Sequence, residues 1–92
     1  MANRRFEIDV EGEAVLVEMN KEGDDRYMVR MSIPGRLARI RIGYLLGARR
    51  HWCAEFFGAG RQAAHVSSAR EACRVLADWA CRQPAVASCL RH

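Results

Sequence analysis

Phe6, Ile8 and Val10 alternate with Glu7, Asp9 and Glu11, the period-two pattern of a strand with one face buried and the other in water. After Gly12-Glu13 the apolar phase resumes at Val15, Val17 and Met19. A glycine at the first turn position suits a tight type II′ hairpin. That turn sets Val10 against Val15, Ile8 against Val17 and Phe6 against Met19, all on one face. The polar segment Lys21-Glu22-Gly23-Asp24-Asp25 leads into Tyr27, Val29, Met31 and Ile33, which extend the same apolar face. Pro34-Gly35 makes the next turn, and pairing Ile33 with Arg36 places Met31 against Ala38, Val29 against Ile40 and Tyr27 against Ile42.

The opposite face in this register carries Arg30 across from Arg39 and Met28 across from Arg41, with Arg26 nearby. Like charges set directly across a strand pair repel, so these arginines need acidic neighbours or an external anion. A fifth strand is expected over about Arg49 to Phe57. A two-residue Gly47-Ala48 turn puts Trp52 on the arginine side, whereas a one-residue bulge puts it in the core. The core placement is preferred, because large aromatics supply buried area and Glu55 is better solvated outside. Gly58-Ala59-Gly60 then turns the chain into a short edge segment, Gln62 to Val66.

Ser68, three residues before Glu71, forms a capping-box signature for a helix over about 69–82. Ala72, Cys73, Leu76, Trp79 and Ala80 make one apolar stripe, and Pro84 stops the helix. Val86 and Leu90 in the tail, 84–92, either pack on the core or fray. The pattern predicts an α+β fold in a single domain, 1–92. It consists of an antiparallel meander of four to six strands over about 4–66, with one C-terminal helix packed on one face.

Ninety-two residues are too few for two independent cores. Half of them are apolar, but in short runs, which excludes an ordinary transmembrane helix. The N-terminus lacks a secretory signal pattern, so a soluble protein of the cytosol is expected. There Cys53, Cys73, Cys81 and Cys89 are reduced thiols that act as small hydrophobes, with no Cys-x-x-Cys pair to seed a metal site. The net charge of +4 conceals a division. Through Asp25, eight acids face three bases, a net of −5, and from Arg26 onward twelve arginines face three acids, a net of +9. Fourteen of the fifteen basic residues are arginine, whose planar donor fork suits phosphate and carboxylate.

No nucleophile–base–orienter set and no cluster of metal ligands stands out, so neither an enzyme nor a cofactor or metal is expected. Glu7, Asp9 and Glu11 are read as a solvated edge or as partners for the arginines, not as a cation site. Gly58-x-Gly60-Arg61 lacks the strand–loop–helix context of a phosphate loop. His51 and His65 have no visible partner. The positive signal is the arginine set: Arg26, Arg30, Arg39 and Arg41 on the outer sheet face, with Arg49, Arg50 and Arg61 in the turns at the ends of the fifth strand. Such a face can engage a nucleic-acid backbone or a nucleoprotein complex.

His51-Trp-Cys-Ala-Glu-Phe-Phe-Gly-Ala-Gly-Arg-Gln, then Val66-Ser-Ser-Ala-Arg-Glu-Ala and Leu76-Ala-Asp-Trp-Ala, resemble the strand–turn–strand–helix of the arm-binding domains of phage tyrosine recombinases and AP2-like folds. The resemblance covers about residues 49–83. It implies a three-stranded sheet entering the DNA major groove, with Arg50, Trp52 and Arg61 at or beside it. The size, compactness and lack of catalytic residues also resemble anti-CRISPR proteins, which implies a phage or mobile-element inhibitor docking on a host protein complex.

Overall fold

The structure, a computed structural model, describes residues 3–33, 35, 39–57, 62–84 and 86. The chain is an α+β fold in which six strands form one antiparallel meander in chain order. They are β1 (Arg4–Val10), β2 (Glu13–Lys21), β3 (Arg26–Ser32), β4 (Arg39–Ala48), β5 (His51–Phe56) and β6 (Gln62–Val66). One helix, α1 (Ala69–Cys81), follows them. It touches the first two strands and the last three, so the sheet curls around it. Phe6, Ile8, Val10, Val15, Val17, Met19, Val29 and Met31 point inward from the first three strands, to meet Leu76, Cys73 and the helical alanines. Burial of these side chains is the main stabilising term.

The inward face is the one the alternation predicts, but the pairing along it differs by two residues in two places. In the first hairpin Val10 pairs with Glu13, Ile8 with Val15 and Phe6 with Val17. The turn is Glu11-Gly12, not Gly12-Glu13. Both residues hold positive φ, 53° and 85°, as a type I′ turn requires, and its twist matches the flanking strands. Between β3 and β4, Met31 pairs with Ile40 and Ser32 with Arg39, again two residues from the expected register. A slip of two preserves which face each side chain occupies.

A bulge then interrupts β4. Arg30 faces Arg41 and Val29 faces Gly43, so Ile42 is the extra residue. Ile42 and Gly43 are both buried. A Cβ on Gly43 would run into the backbone carbonyl oxygen of Glu55 and lie 3.0 Å from Leu76 Cδ2, so glycine alone permits the approach of β5. After the bulge Leu45 points inward, fully buried. The β4–β5 turn is Arg49-Arg50, with Ala48 opposite His51, two residues later than the Gly47-Ala48 turn considered from sequence. Trp52 is 6 % exposed in the core, and its Nε1–H donates to the Arg49 carbonyl at 2.9 Å.

Ser68 caps α1, its Oγ accepting the Glu71 N–H at 3.1 Å. The reciprocal half of the box is not formed, because the Glu71 carboxylate pairs with Arg74 one turn on. Trp79 stands at the edge of the apolar stripe, half-buried against Phe56 with ring centroids 6.0 Å apart. Arg70 reaches β1, an edge strand among the described residues, and donates to the Glu7 carbonyl at 3.2 Å, which occupies part of that edge. Val86 packs on the core, and Leu90 lies outside the described residues. Among the described residues, no helix is long and apolar enough to cross a membrane.

Candidate anion-binding face

The helix covers one side of the sheet and leaves the other open. From β3 the residues alternating with the core positions are Arg26, Met28, Arg30 and Ser32, and from β4 they are Arg39, Arg41, Tyr44 and Leu46. Neither strand contains an acid. Four of the seven expected site residues therefore share this face: Arg30, Arg39 and Arg41 toward one end and Arg26 farther along. The opposed pair is Arg30 and Arg41, not Arg30 and Arg39. Arg39 faces Ser32, and Met28 faces Tyr44 instead of Arg41. The two-residue slip at the β3–β4 connection moves the arginines, and the bulge at Ile42 adds the third residue at Met28.

Among the described residues one carboxylate bonds to the arginines of this face. Glu18 of β2, its side chain 16 % exposed, receives Arg5 Nε on one carboxylate oxygen at 3.1 Å and Arg39 Nη1 on the other at 3.4 Å. Two guanidiniums thus share one carboxylate around a shallow depression of about 70 Å³ lined also by Leu16 and Ser32. Arg30 donates to a neutral acceptor, Asn20 Oδ1, at 3.1 Å. Arg41 is exposed and makes no ion pair or hydrogen bond with the described residues. Exposed ion pairs of the Arg39–Glu18 type contribute little to stability, typically about 0.2–1 kcal/mol.

An aromatic group adjoins the arginines. Tyr44 is outward because of the bulge, and Phe57 meets it edge-on, ring centroids 5.1 Å apart at 78°. The Arg26 guanidinium lies 3.8 Å over the Tyr44 ring, a cation–π contact. Met28, between Tyr44 and Asn20 in the cross-strand register, is 2 % exposed yet belongs to no part of the core cluster. It is buried from the outer side, under this group. Phe57, at 45 % exposure, and Leu16, at 39 %, are the exposed large hydrophobics among the described residues.

Arg49 and Arg50 sit at the exposed tip of the β4–β5 hairpin. They are about 25 Å along β4 from Arg41 at about 3.3 Å per residue, so they extend the basic strip without joining the central cluster. Arg61 lies outside the described residues. Of the residues that the recombinase resemblance implicates, Arg50 is in that tip and Trp52 is in the core.

The sequence reading missed Tyr44, Phe57, Arg5 and Asn20. A glycine inside an apolar run, as in Ile42-Gly43, is a bulge signal, and adjacent Phe56-Phe57 in a strand must send one ring to each face. The described thiols, Cys53, Cys73 and Cys81, take no part in the central cluster. Burial pushes the Cys73 thiol up to about 12. Cys81 is raised too, chiefly by burial and then by Asp78 and Glu11. Cys53 is half-buried on the outer side, and Cys89 lies outside the described residues. Comparison of the chain with protein-family models, with characterised proteins and with solved structures gives no match.

Proposed function

We propose that the chain is a non-catalytic binding protein that engages nucleic acid, free or within a nucleoprotein complex, through the open face of its sheet. The observation that carries this reading is the Arg30–Arg41 pair. Arg30 and Arg41 are direct cross-strand partners on strands without acids, with Glu18 of β2 on the other side of Arg30, and among the described residues Asn20 alone is hydrogen-bonded to them. An arrangement that is repulsive in the free protein becomes favourable when phosphate oxygens lie between the charges. Arg26 and Arg39 lengthen the same strip. Titration of fluorescein-labelled DNA and RNA across a salt series tests it. Four phosphate contacts give a log–log slope of about −3 to −4, at about −0.7 to −0.9 per phosphate. Absence of any salt-dependent binding would falsify direct contact.

The exposed Leu16 and Phe57 on the same face favour a second reading, in which the chain is an inhibitor that docks on a host protein complex. A stoichiometric protein partner captured with wild type and lost on Leu16→Asp, with no nucleic acid in the complex, supports that alternative. Capture dependent on nuclease-sensitive material removes it.

A further inference from the structure

Resting on the proposal above, we infer that the nucleic acid taken by this face is single-stranded, with one unstacked base seated on Phe57 beside Tyr44 and flanking phosphates held by Arg30 and Arg41. The cross-strand register gives the layout. Arg5, Glu18, Arg30 and Arg41 follow one another across β1 to β4, and the Phe57 N–H donates to the Ile42 carbonyl at 3.1 Å, which continues that row onto the aromatic ring. The next row holds Asn20, Met28, Tyr44 and Glu55. A row of three arginines and one glutamate therefore ends, on its arginine side, at a half-exposed ring that is already braced edge-on by a second.

Width argues against a duplex groove. Six strands about 4.8 Å apart make a face about 24 Å across, twice the roughly 12 Å of a major groove. Arg30 and Arg41 lie on the middle two strands and cannot be carried into a groove by a ribbon narrower than the sheet. They can meet a backbone laid across the open face. A stacked duplex hides the faces of its bases, whereas a single strand offers them, and base–aromatic stacking accepts any base. The Arg26 guanidinium covers part of Tyr44, so Phe57, with its greater exposure, is the seat and Tyr44 its support.

The test is anisotropy of a fluorescein-labelled oligonucleotide of about twelve nucleotides, within the usual site sizes for such faces, presented as DNA, as RNA and as the matching duplex. Wild type binds the single strands at least about tenfold more tightly than the duplex. Phe57→Leu weakens single-strand binding about tenfold, with the salt slope unchanged and duplex binding unaffected. Phe57→Tyr, which keeps the ring, restores it. Arg41→Gln instead lowers the single-strand slope by about 0.7. Thermal melts confirm that the variants are folded, as expected for substitutions at exposed positions.

If the duplex binds as well as the single strands, or if Phe57→Leu leaves single-strand affinity intact, the base-stacking inference is overturned while the arginine face stands. Binding of none of the three probes overturns both. A dimer in sedimentation that dissociates on Phe57→Leu shows a second copy on the ring, and this too overturns the inference.

Discussion

Arg41→Glu should make this protein more stable and a worse ligand binder at once. Arg30 and Arg41 are direct cross-strand partners, a geometry that places their Cβ atoms about 4.5–5.5 Å apart. Cross-strand pairs contribute about 0.2–1 kcal/mol, favourable for opposite charges and unfavourable for like ones. Replacing repulsion by attraction is therefore worth about 1 kcal/mol. Glutamate is a poorer strand residue, which leaves a net gain of about 0.5 kcal/mol, or a melting rise of about 2–4 °C for a domain of this size. Arg41 has no bond to lose among the described residues, and Arg30 keeps Asn20. The effect is electrostatic, so calorimetry at about 0.01 M salt, where the Debye length is about 30 Å, should show it, and at 1 M, where it is about 3 Å, should abolish it. Arg41→Gln, which only removes the repulsion, should fall between. Random substitutions mostly destabilise, so a gain here is diagnostic of a position kept for something other than folding. A variant that melts at or below wild type in low salt refutes the claim that these charges confront each other, and with it the reason for expecting an anion.

Other expectations follow from single contacts. Ser68→Ala removes the acceptor of the Glu71 N–H and should cost about 1 kcal/mol by urea unfolding; a loss near zero would mean the cap is satisfied by water. Gly43→Ala drives a methyl into the Glu55 carbonyl and Leu76 and should cost about 1–3 kcal/mol in the same assay, whereas a tolerated alanine would show that β4 and β5 are not so closely apposed. The Cys73 thiol, pushed up to about 12 by burial, stays neutral in the folded chain while the unfolded thiol ionises near about 8.5. Its contribution is whole below that pH and is lost as pH rises through about 12, at no more than about 1.4 kcal/mol per pH unit. Cys73→Ala should flatten the alkaline fall in stability, and an unchanged slope would place that thiol in water.

Which side of the sheet each residue occupies was legible in the sequence, because alternation depends only on parity. Phe6, Ile8, Val15 and Val29 point inward under either register, since the two-residue slips at both hairpins leave parity intact. The Ser68 cap was legible for a different reason: its donor and acceptor are three residues apart, and no distant element decides the bond. What Glu71 does in return was not, because Arg74 competes for its carboxylate. The identity of the facing arginines was harder still. It depends on the connection after Ile33, and a change of two residues there replaces Arg39 by Arg41 opposite Arg30.

The bulge at Ile42-Gly43 joins the core to the open face. Before it, β4 sends Arg39 and Arg41 outward and Ile40 inward; unbroken alternation would then send Gly43 and Leu45 outward and Tyr44 and Leu46 inward. The extra residue reverses this, burying Leu45 completely and turning Tyr44 toward Phe57. One irregularity therefore fills the core under α1 and sets an aromatic pair at the end of the arginine row. The two outcomes cannot be separated by mutation of the surface alone, because the position of Tyr44 is fixed by what Leu45 and Gly43 do on the other side. A patch of exposed rings with no such tie to the packing would be free to drift in sequence. Here the close approach of Gly43 to Glu55 and Leu76 holds the bulge in place, and the bulge holds the rings beside Arg26 and the arginine row.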